Sequence, residues 1–341
     1  MLHLLSLPLR IGKTTWLREA WTGRSGVRGF VTPDVAGRRV VELLATGEVI
    51  PLEEEDGEVT IGRFRFAQAG IAAMSEELRR AAADPTVHTL VVDEVGPLEL
   101  RRGEGVQVEP ALEAARRGVD VVLVVREGLR AEAMERFGVE AAQVNAARWF
   151  RPVPAPVGWV LAGGQSRRMG RDKAFIDRGD GPAFAVAGRA LEGALERIWG
   201  AAEVAISGRA DAEYAPWTSW VDAPDLAGHG PASGVLTAAR QRPGRALLVC
   251  GCDYPGLQPT ALDRLVAVYR ISGRSACYLG EDGGPEPLVA LYAPAELEAL
   301  EAAVRRGNDS LRALLRAAVA EGRAVALPYD PGLGIVSVDV P

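Results

Sequence analysis

Four cations, Arg167, Arg168, Arg171 and Lys173, fall within seven residues in the stretch 161–174, LAGGQSRRMGRDKA, just after the glycines 163 and 164. Glycine lets a ligand approach the backbone closely and tolerates positive φ, so main-chain amides and carbonyls can read a nucleobase there. Arginine offers phosphate oxygens a planar fork and lysine a compact point charge. Clustered cations beside a glycine turn at a strand end predict a triphosphate site. Two carboxylates lie farther on. Asp253 follows the apolar run RALLVC, within CDYP at 252–255. A strand-end carboxylate suits Mg²⁺, which takes oxygen ligands and keeps waters and substrate phosphates. Asp222 ends the run 218–221, and GPASG at 230–234 is expected to bring a glycine loop against a ribose or base. Asp225 is a rival for the role of Asp222.

A second constellation stands near the start of the chain. IGKTT at 11–15 follows a short strand and precedes a helical stretch. This is the end of a P-loop, in which Gly12 and Lys13 meet phosphates and Thr14 reaches Mg²⁺. The pattern asks for a glycine five residues before Gly12. Leu7 stands there instead, and Pro8 removes an amide donor, so an incomplete phosphate cradle is expected. The run LVVDE at 90–94 is an apolar strand ending in two acids. There Asp93 can hold Mg²⁺ through water and Glu94 can orient an attacking water.

These residues need elements to hold them. In the N-terminal half, strands are expected at 3–6, 88–92 and 119–125, with a helical stripe through Ile71, Met74 and Leu78. In the C-terminal half, strands are expected at 157–161, 203–206, 246–250, 275–279 and 288–292. Helical stripes run through Leu191, Leu195 and Ile198, through Leu262, Leu265 and Tyr269, and through Leu311, Leu314 and Leu315. This alternation predicts an α/β fold with mostly parallel sheets covered on both faces. Ligands of such sheets bind at the carboxyl ends of the strands, where all the motifs fall. RPVPAP at 151–156 alternates prolines and predicts an extended Pro-rich linker between a domain of residues 1–150 and one of residues 157–341.

Composition sets limits. The 341 residues are 48% hydrophobic and 25% charged, enough for about two ordinary globular cores. A net charge of −6 argues against a nucleic-acid partner. The apolar start of the chain is too short to span a membrane and lacks a small-residue cleavage site, so no membrane association and a cytoplasmic location are expected. The three cysteines, Cys250, Cys252 and Cys277, make no disulfide framework and fit a reducing compartment. Cys250 reads as a buried strand thiol rather than half of a zinc site, which needs four ligands.

Together the C-terminal motifs resemble the molybdenum cofactor guanylyltransferase family, within the glycosyltransferase-A-like nucleotidyltransferases. Residues 161–174 match its LAGG-x-S-x-RMG-x-DKA signature. GPASG, CDYP and PLVALY at 287–292 stand in the order of its GPLAG, CDxP and PLxALY segments. The resemblance covers roughly residues 157–341. In the N-terminal half, GFVTPD at 29–34 and DEVGPLEL at 93–100 resemble a P-loop nucleoside-triphosphatase family first described from thermophiles, over roughly residues 3–130.

The resemblance implies an N-terminal P-loop NTPase-like α/β domain and a C-terminal Rossmann-like nucleotidyltransferase α/β domain. Leu161, Ala162, Gly163 and Gly164 would line guanine and ribose, and Arg168 and Lys173 would hold the triphosphate. Asp253 would bind Mg²⁺, with Asp222 near the ribose or metal. The implied reaction transfers GMP from GTP to the phosphate of a molybdopterin-type cofactor and releases pyrophosphate. Such an anionic acceptor needs no general base, and the barrier is charge repulsion. Molybdoenzymes or cofactor-insertion proteins are implied partners. Two departures stand out: Ser207-Gly208-Arg209 replaces an Asn-rich loop, and the family's Asn-x-Asn-Thr-Pro appears as Ser337-Val338-Asp339-Val340-Pro341. Two alternatives stay open. One is cytidylyl transfer from CTP. The other is a non-catalytic N-terminal module that binds nucleotide or a partner, with Gly12, Lys13, Thr14, Asp93 and Glu94 as its site.

Overall fold

A computed structural model gives the structure of the protein and describes residues 1–341 apart from 62–63, 103–105, 164–172, 211 and 338–341. It divides into two compact units, Met1–Phe150 and Arg151–Pro341.

In the first unit, apolar runs form β1 (Leu2–Leu5), β2 (Val27–Val31), β8 (Thr89–Val95) and β9 (Asp120–Val125). Between β2 and β8 lie the short strands β3 (Asp34–Val35), β4 (Arg38–Leu43), β5 (Val49–Pro51), β6 (Val59–Ile61) and β7 (Phe64–Phe66). The helices are α1 (Lys13–Trp21), α2 (Gln68–Ala83), α3 (Glu109–Arg116) and α4 (Arg130–Phe137). The sheet order is β1-β9-β8-β2-β4-β3, with β5 beside β4. Strands β1, β9, β8 and β2 are parallel, and β4 joins antiparallel. Leu90, Val92, Val121 and Leu123 pack with Met74 and Leu78 of α2 and Ala111 of α3 into one core.

In the second unit, β10 (Val157–Leu161) is followed by α5 (Ala183–Trp199), β11 (Val204–Ser207), β12 (Thr218–Trp220), α6 (Pro231–Gln241) and β13 (Leu247–Gly251). Then come α7 (Pro259–Ser272), β14 (Ser275–Leu279), β15 (Pro285–Tyr292), α8 (Pro294–Arg305), α9 (Leu311–Ala320) and β16 (Ala324–Leu327). The sheet order is β12-β11-β10-β13-β15-β14-β16. Helices α5 and α7 pack together on one face. Helices α6, α8 and α9 cover the other, closing over Trp159, Val249, Ala290 and Tyr292.

The α/β class expected from the sequence is therefore what forms; the sheets are mixed, with parallel pairings in the majority in the second unit. Strand β15 runs antiparallel to both β13 and β14. The reason is the short turn after β14, closed by Gly280 N–H on the Gly284 carbonyl at 2.7 Å. A connection that brief reverses the chain, whereas a parallel neighbour needs a crossover of a dozen residues or more. Strand β2 is missing from the sequence reading because Arg28 and Gly29 interrupt its apolar pattern. Gly29 takes φ +108°, and a Cβ there would collide with the carbonyl of Val91 on β8. The glycine thus permits the close pairing of β2 with β8. Among the described residues, no helix is long and apolar enough to cross a membrane.

Candidate functional site

In the second unit the chain leaves β10 toward β11 on one side and later returns to β13 on the other. This reversal of strand order opens a crevice at the carboxyl ends, where α/β sheets bind ligands. Leu161 of β10 pairs with Gly251 of β13, so Gly163 and Asp253 each begin two residues past paired positions on neighbouring parallel strands. The sheet brings together motifs that lie ninety residues apart in the chain.

Ala162 N–H donates to the Ser207 carbonyl at 2.8 Å and is buried, while Gly163 is exposed. Gly163 is not among the positive-φ glycines, so its use here is open access and not left-handed backbone. Lys173 begins a 3₁₀ turn, Lys173–Phe175. The Phe175 ring anchors that turn, 5.2 Å from the Phe184 ring of α5 and 5.3 Å from that of Tyr214. Gly164, Gln165, Ser166, Arg167, Arg168 and Arg171 lie outside the described residues, as does Asp339.

Asp253 packs closely against Gly251. Its Oδ1 lies 2.7 Å from the place a Cβ on Gly251 would take, with the Tyr254 ring at 3.2 Å. The Tyr254 hydroxyl donates to Glu286 Oε1 at 2.7 Å, and that oxygen also accepts Leu288 N–H at 3.1 Å. Burial and the Glu286 carboxylate push the Tyr254 phenol well above its ordinary pKa. Burial, with the Asp253 charge beside it, pushes the Cys250 thiol up to about 12, so Cys250 is an inert strand thiol. Among the described residues no cluster of three or more His, Cys, Asp or Glu could cage a metal. A carboxylate at a strand end is of the oxygen-donor type that Mg²⁺ takes while retaining waters.

Asp222 follows β12. Its Oδ1 accepts the Ser207 hydroxyl at 3.0 Å and the Thr237 hydroxyl at 3.1 Å. Spacing gave no sign of Ser207 or Thr237, because they reach Asp222 from β11 and α6. The rival Asp225 is exposed and bound by Arg240 at 2.8 and 3.1 Å. GPASG is not a loop: Pro231 starts α6, with Gly230 as its cap at φ +56°. Proline suits a first helical turn, where its missing N–H has no partner anyway. Gly234 lies inside the helix, where a Cβ would come within 2.6 Å of the Leu161 side chain and 3.0 Å of Ser207 Oγ. Its role is close packing of α6 on the ends of β10 and β11. Gly208, in the departure from the family loop, is crowded by the Tyr214 ring, whose hydroxyl accepts Arg209 N–H at 3.1 Å.

In the first unit, Leu7 is fully buried, so a core side chain fills the position of the absent P-loop glycine. The loop turns instead at Arg10 (φ +62°) and Gly12 (φ +82°). Asn145 fixes its base by two hydrogen bonds of 2.8 Å with the Ser6 backbone. Among the described residues, no backbone amide from Leu9 to Thr15 has a protein acceptor. Lys13 Nζ donates to the carbonyls of Leu7 at 3.0 Å and Pro8 at 2.9 Å. Burial lowers the Lys13 pKa, opposed by the charges of Asp93, Glu127 and Glu94.

Thr14 Oγ1 donates to Asp93 Oδ2 at 3.2 Å, and Thr32 donates to the same oxygen through its amide at 3.0 Å and its hydroxyl at 3.3 Å. Burial raises the Asp93 pKa against the Thr32 amide bond. A register shift between Val92 and Val95 and a left-handed Glu94 (φ +64°) set the two acids on a bulge. The predicted residues Gly12, Lys13, Thr14, Asp93 and Glu94 therefore share one end of the sheet, joined by Thr32, Arg39 and Arg126.

Residues 158–324 match the MobA-like NTP transferase domain. The molybdenum cofactor biosynthesis bifunctional protein of Synechocystis sp. is 34% identical over 142 residues, which are 41% of this chain and only 40% of that protein's length. The probable molybdenum cofactor guanylyltransferase of Opitutus terrae is 35% identical over 182 residues, 52% of this chain and 86% of its own. Among solved structures, THEP1 from Aquifex aeolicus superposes with a TM-score of 0.29 at 18% identity, covering 40% of this chain and 85% of that one.

Proposed function

The chain belongs to the molybdenum cofactor guanylyltransferase family, and from that premise we propose that residues 157–341 transfer GMP from GTP to the phosphate of a molybdopterin-type cofactor, releasing pyrophosphate. The observation that supports the reading is the pairing of Leu161 with Gly251, so that the LAGG and CDYP segments leave the ends of neighbouring parallel strands. Guanine is preferred over cytosine because the relatives are named guanylyltransferases.

Leu161, Ala162, Gly163 and Gly164 line the base and ribose, with main-chain groups doing the recognition. Lys173 and Arg168 hold the triphosphate, and Asp222 faces the ribose from a position fixed by Ser207 and Thr237. Asp253 holds Mg²⁺, which when bound supplies charge neutralisation at the phosphates. The acceptor phosphate is already anionic, so the chain's own groups align it and screen its repulsion from the triphosphate; none has to remove a proton.

The test is the full chain incubated with Mo-molybdopterin and Mg²⁺ and either GTP or CTP, with pyrophosphate release and the dinucleotide product measured. Product from GTP, abolished by Asp253→Ala, is expected. A preference for CTP would overturn the guanine assignment, and undiminished transfer by Asp253→Ala would overturn the site.

A second reading concerns the first unit. Its unpartnered loop amides, Lys13 and the buried Asp93 favour a polyphosphate site in residues 7–14, although Leu7 replaces the glycine. Retained hydrolysis would require Glu94 to be available to water. The measurement is nucleoside triphosphate turnover by the full chain and by Lys13→Ala. Equal turnover by both would sink this reading.

A further inference from the structure

Both carboxylate oxygens of Glu94 are engaged by guanidinium groups in this structure. Arg39 Nη1 lies 2.8 Å from its Oε2 and Arg126 Nη2 lies 2.8 Å from its Oε1. Each carboxylate oxygen thus has its own guanidinium, one from β4 and one just past the end of β9. The Thr32 hydroxyl stands 3.5 Å from Oε2. Glu94 reaches this arrangement through a left-handed backbone (φ +64°), a conformation that costs a side-chain-bearing residue energy and persists only where surroundings impose it. The group is close to the loop: Arg126 and Glu94 both act on the charge of Lys13. Arg39 and Arg126 are partly exposed, so an incoming anion can reach them.

We infer that Arg39 and Arg126 form the cationic wall of a polyphosphate site in the first unit, and that Glu94 occupies them as an internal stand-in until a terminal phosphate displaces it. The inference rests on the reading that residues 7–14 bind polyphosphate. Arginine forks donate to carboxylate and phosphate oxygens in the same geometry, so the exchange replaces like with like. Displacement also frees Glu94, which links arrival of the phosphate to release of an acid able to orient water. A carboxylate tethered in the site lowers the apparent affinity for phosphate, because only the displaced fraction is competent to bind.

The test uses the full chain and inorganic tripolyphosphate, measured by calorimetry, with the Lys13-dependent part taken as the difference from Lys13→Ala. Melting curves check that each variant folds, and Arg126→Gln stands in for Arg126→Ala if the latter does not. Glu94→Gln is expected to tighten Lys13-dependent binding about tenfold and Arg126→Ala to weaken it about tenfold. The two effects are coupled: Arg126→Ala costs more in the Glu94→Gln background, where the guanidinium no longer serves the carboxylate. Unchanged affinity in Glu94→Gln, or strictly additive effects, would overturn the displacement. Absence of any Lys13-dependent binding would overturn the underlying phosphate-site reading, and this inference with it.

Discussion

Asp253 and Asp93 are two aspartates at strand ends with opposite environments. Asp253 is partly exposed, beside a glycine that leaves it room. Removing a charged contact that acts on the transferring phosphates costs about 3 kcal/mol, roughly a hundredfold in rate. Asp253→Ala and Lys173→Ala are therefore each expected to lose at least about a hundredfold in transfer rate while remaining folded, as melting curves would check. Asp93 is buried and its folded pKa is raised. A raised acid pKa means that the folded state holds the proton more tightly than the unfolded state. That contribution is fully present below the ordinary aspartate pKa and is lost as pH rises through the folded value. Charged Asp93 therefore costs stability at neutral pH. All three of its hydrogen bonds fall on Oδ2, so an amide oxygen can keep them. Asp93→Asn should melt higher than the parent chain at pH 8, with the gain vanishing near pH 4. A lower melting temperature at pH 8 would contradict the burial argument. Burial also pushes Cys250 and Cys277 up to about 12. Alkylation at pH 8 should therefore label Cys252 first, as mass spectrometry of the peptides would reveal.

At the scale of elements, the sites depend on how closely strands and helices approach. Gly234 brings α6 against Leu161 and Ser207. Gly234→Val is expected to destabilise the second unit by about 2 kcal/mol through overpacking and to raise KM for GTP, since the displaced helix carries Thr237. A melting temperature and a KM both like those of the parent would refute this. Tyr254 ties the turn after β13 to Glu286 on β15. Tyr254→Phe keeps the ring and loses the bond, so a stability loss of about 1 kcal/mol and a higher Mg²⁺ requirement for transfer are expected. An unaltered Mg²⁺ titration would show that the bond does not steady Asp253. In the sequence, β10, β13 and β15 were legible as apolar runs and α5, α7 and α9 as stripes. The pairing of β15 was not, because the direction of a strand is set by its connection and neighbours and leaves no trace in its own pattern. GPASG looked like a loop because two glycines and a proline are turn residues. Helix α6 forms there because the proline sits in its first turn and the inner glycine is required by a neighbour.

At the scale of the molecule, residues 1–150 and 151–341 are two compact units, each with its own sheet and core. Each has a candidate anion site at the carboxyl ends of its parallel strands. Hydrogen exchange on the full chain separates them. GTP with Mg²⁺ should protect amides around 161–163 and 251–254, and tripolyphosphate should protect amides 9–15. Protection of both segments by tripolyphosphate alone would mean that the second unit reads phosphate without its base.

The sequence by itself determined the α/β class, the strand-end motifs and the family of the second unit, because glycines, cations and acids at fixed spacing are local facts. It also located Lys13, Asp93 and Glu94. Only the tertiary structure decided what faces them. Ser207 and Thr237 grip Asp222, Glu286 holds Tyr254 beside Asp253, and Arg39 and Arg126 occupy Glu94. These partners come from other strands and helices, 15 to 55 residues away. Sheet order alone makes them neighbours, and sheet order is set by packing of the whole unit rather than by any segment of it.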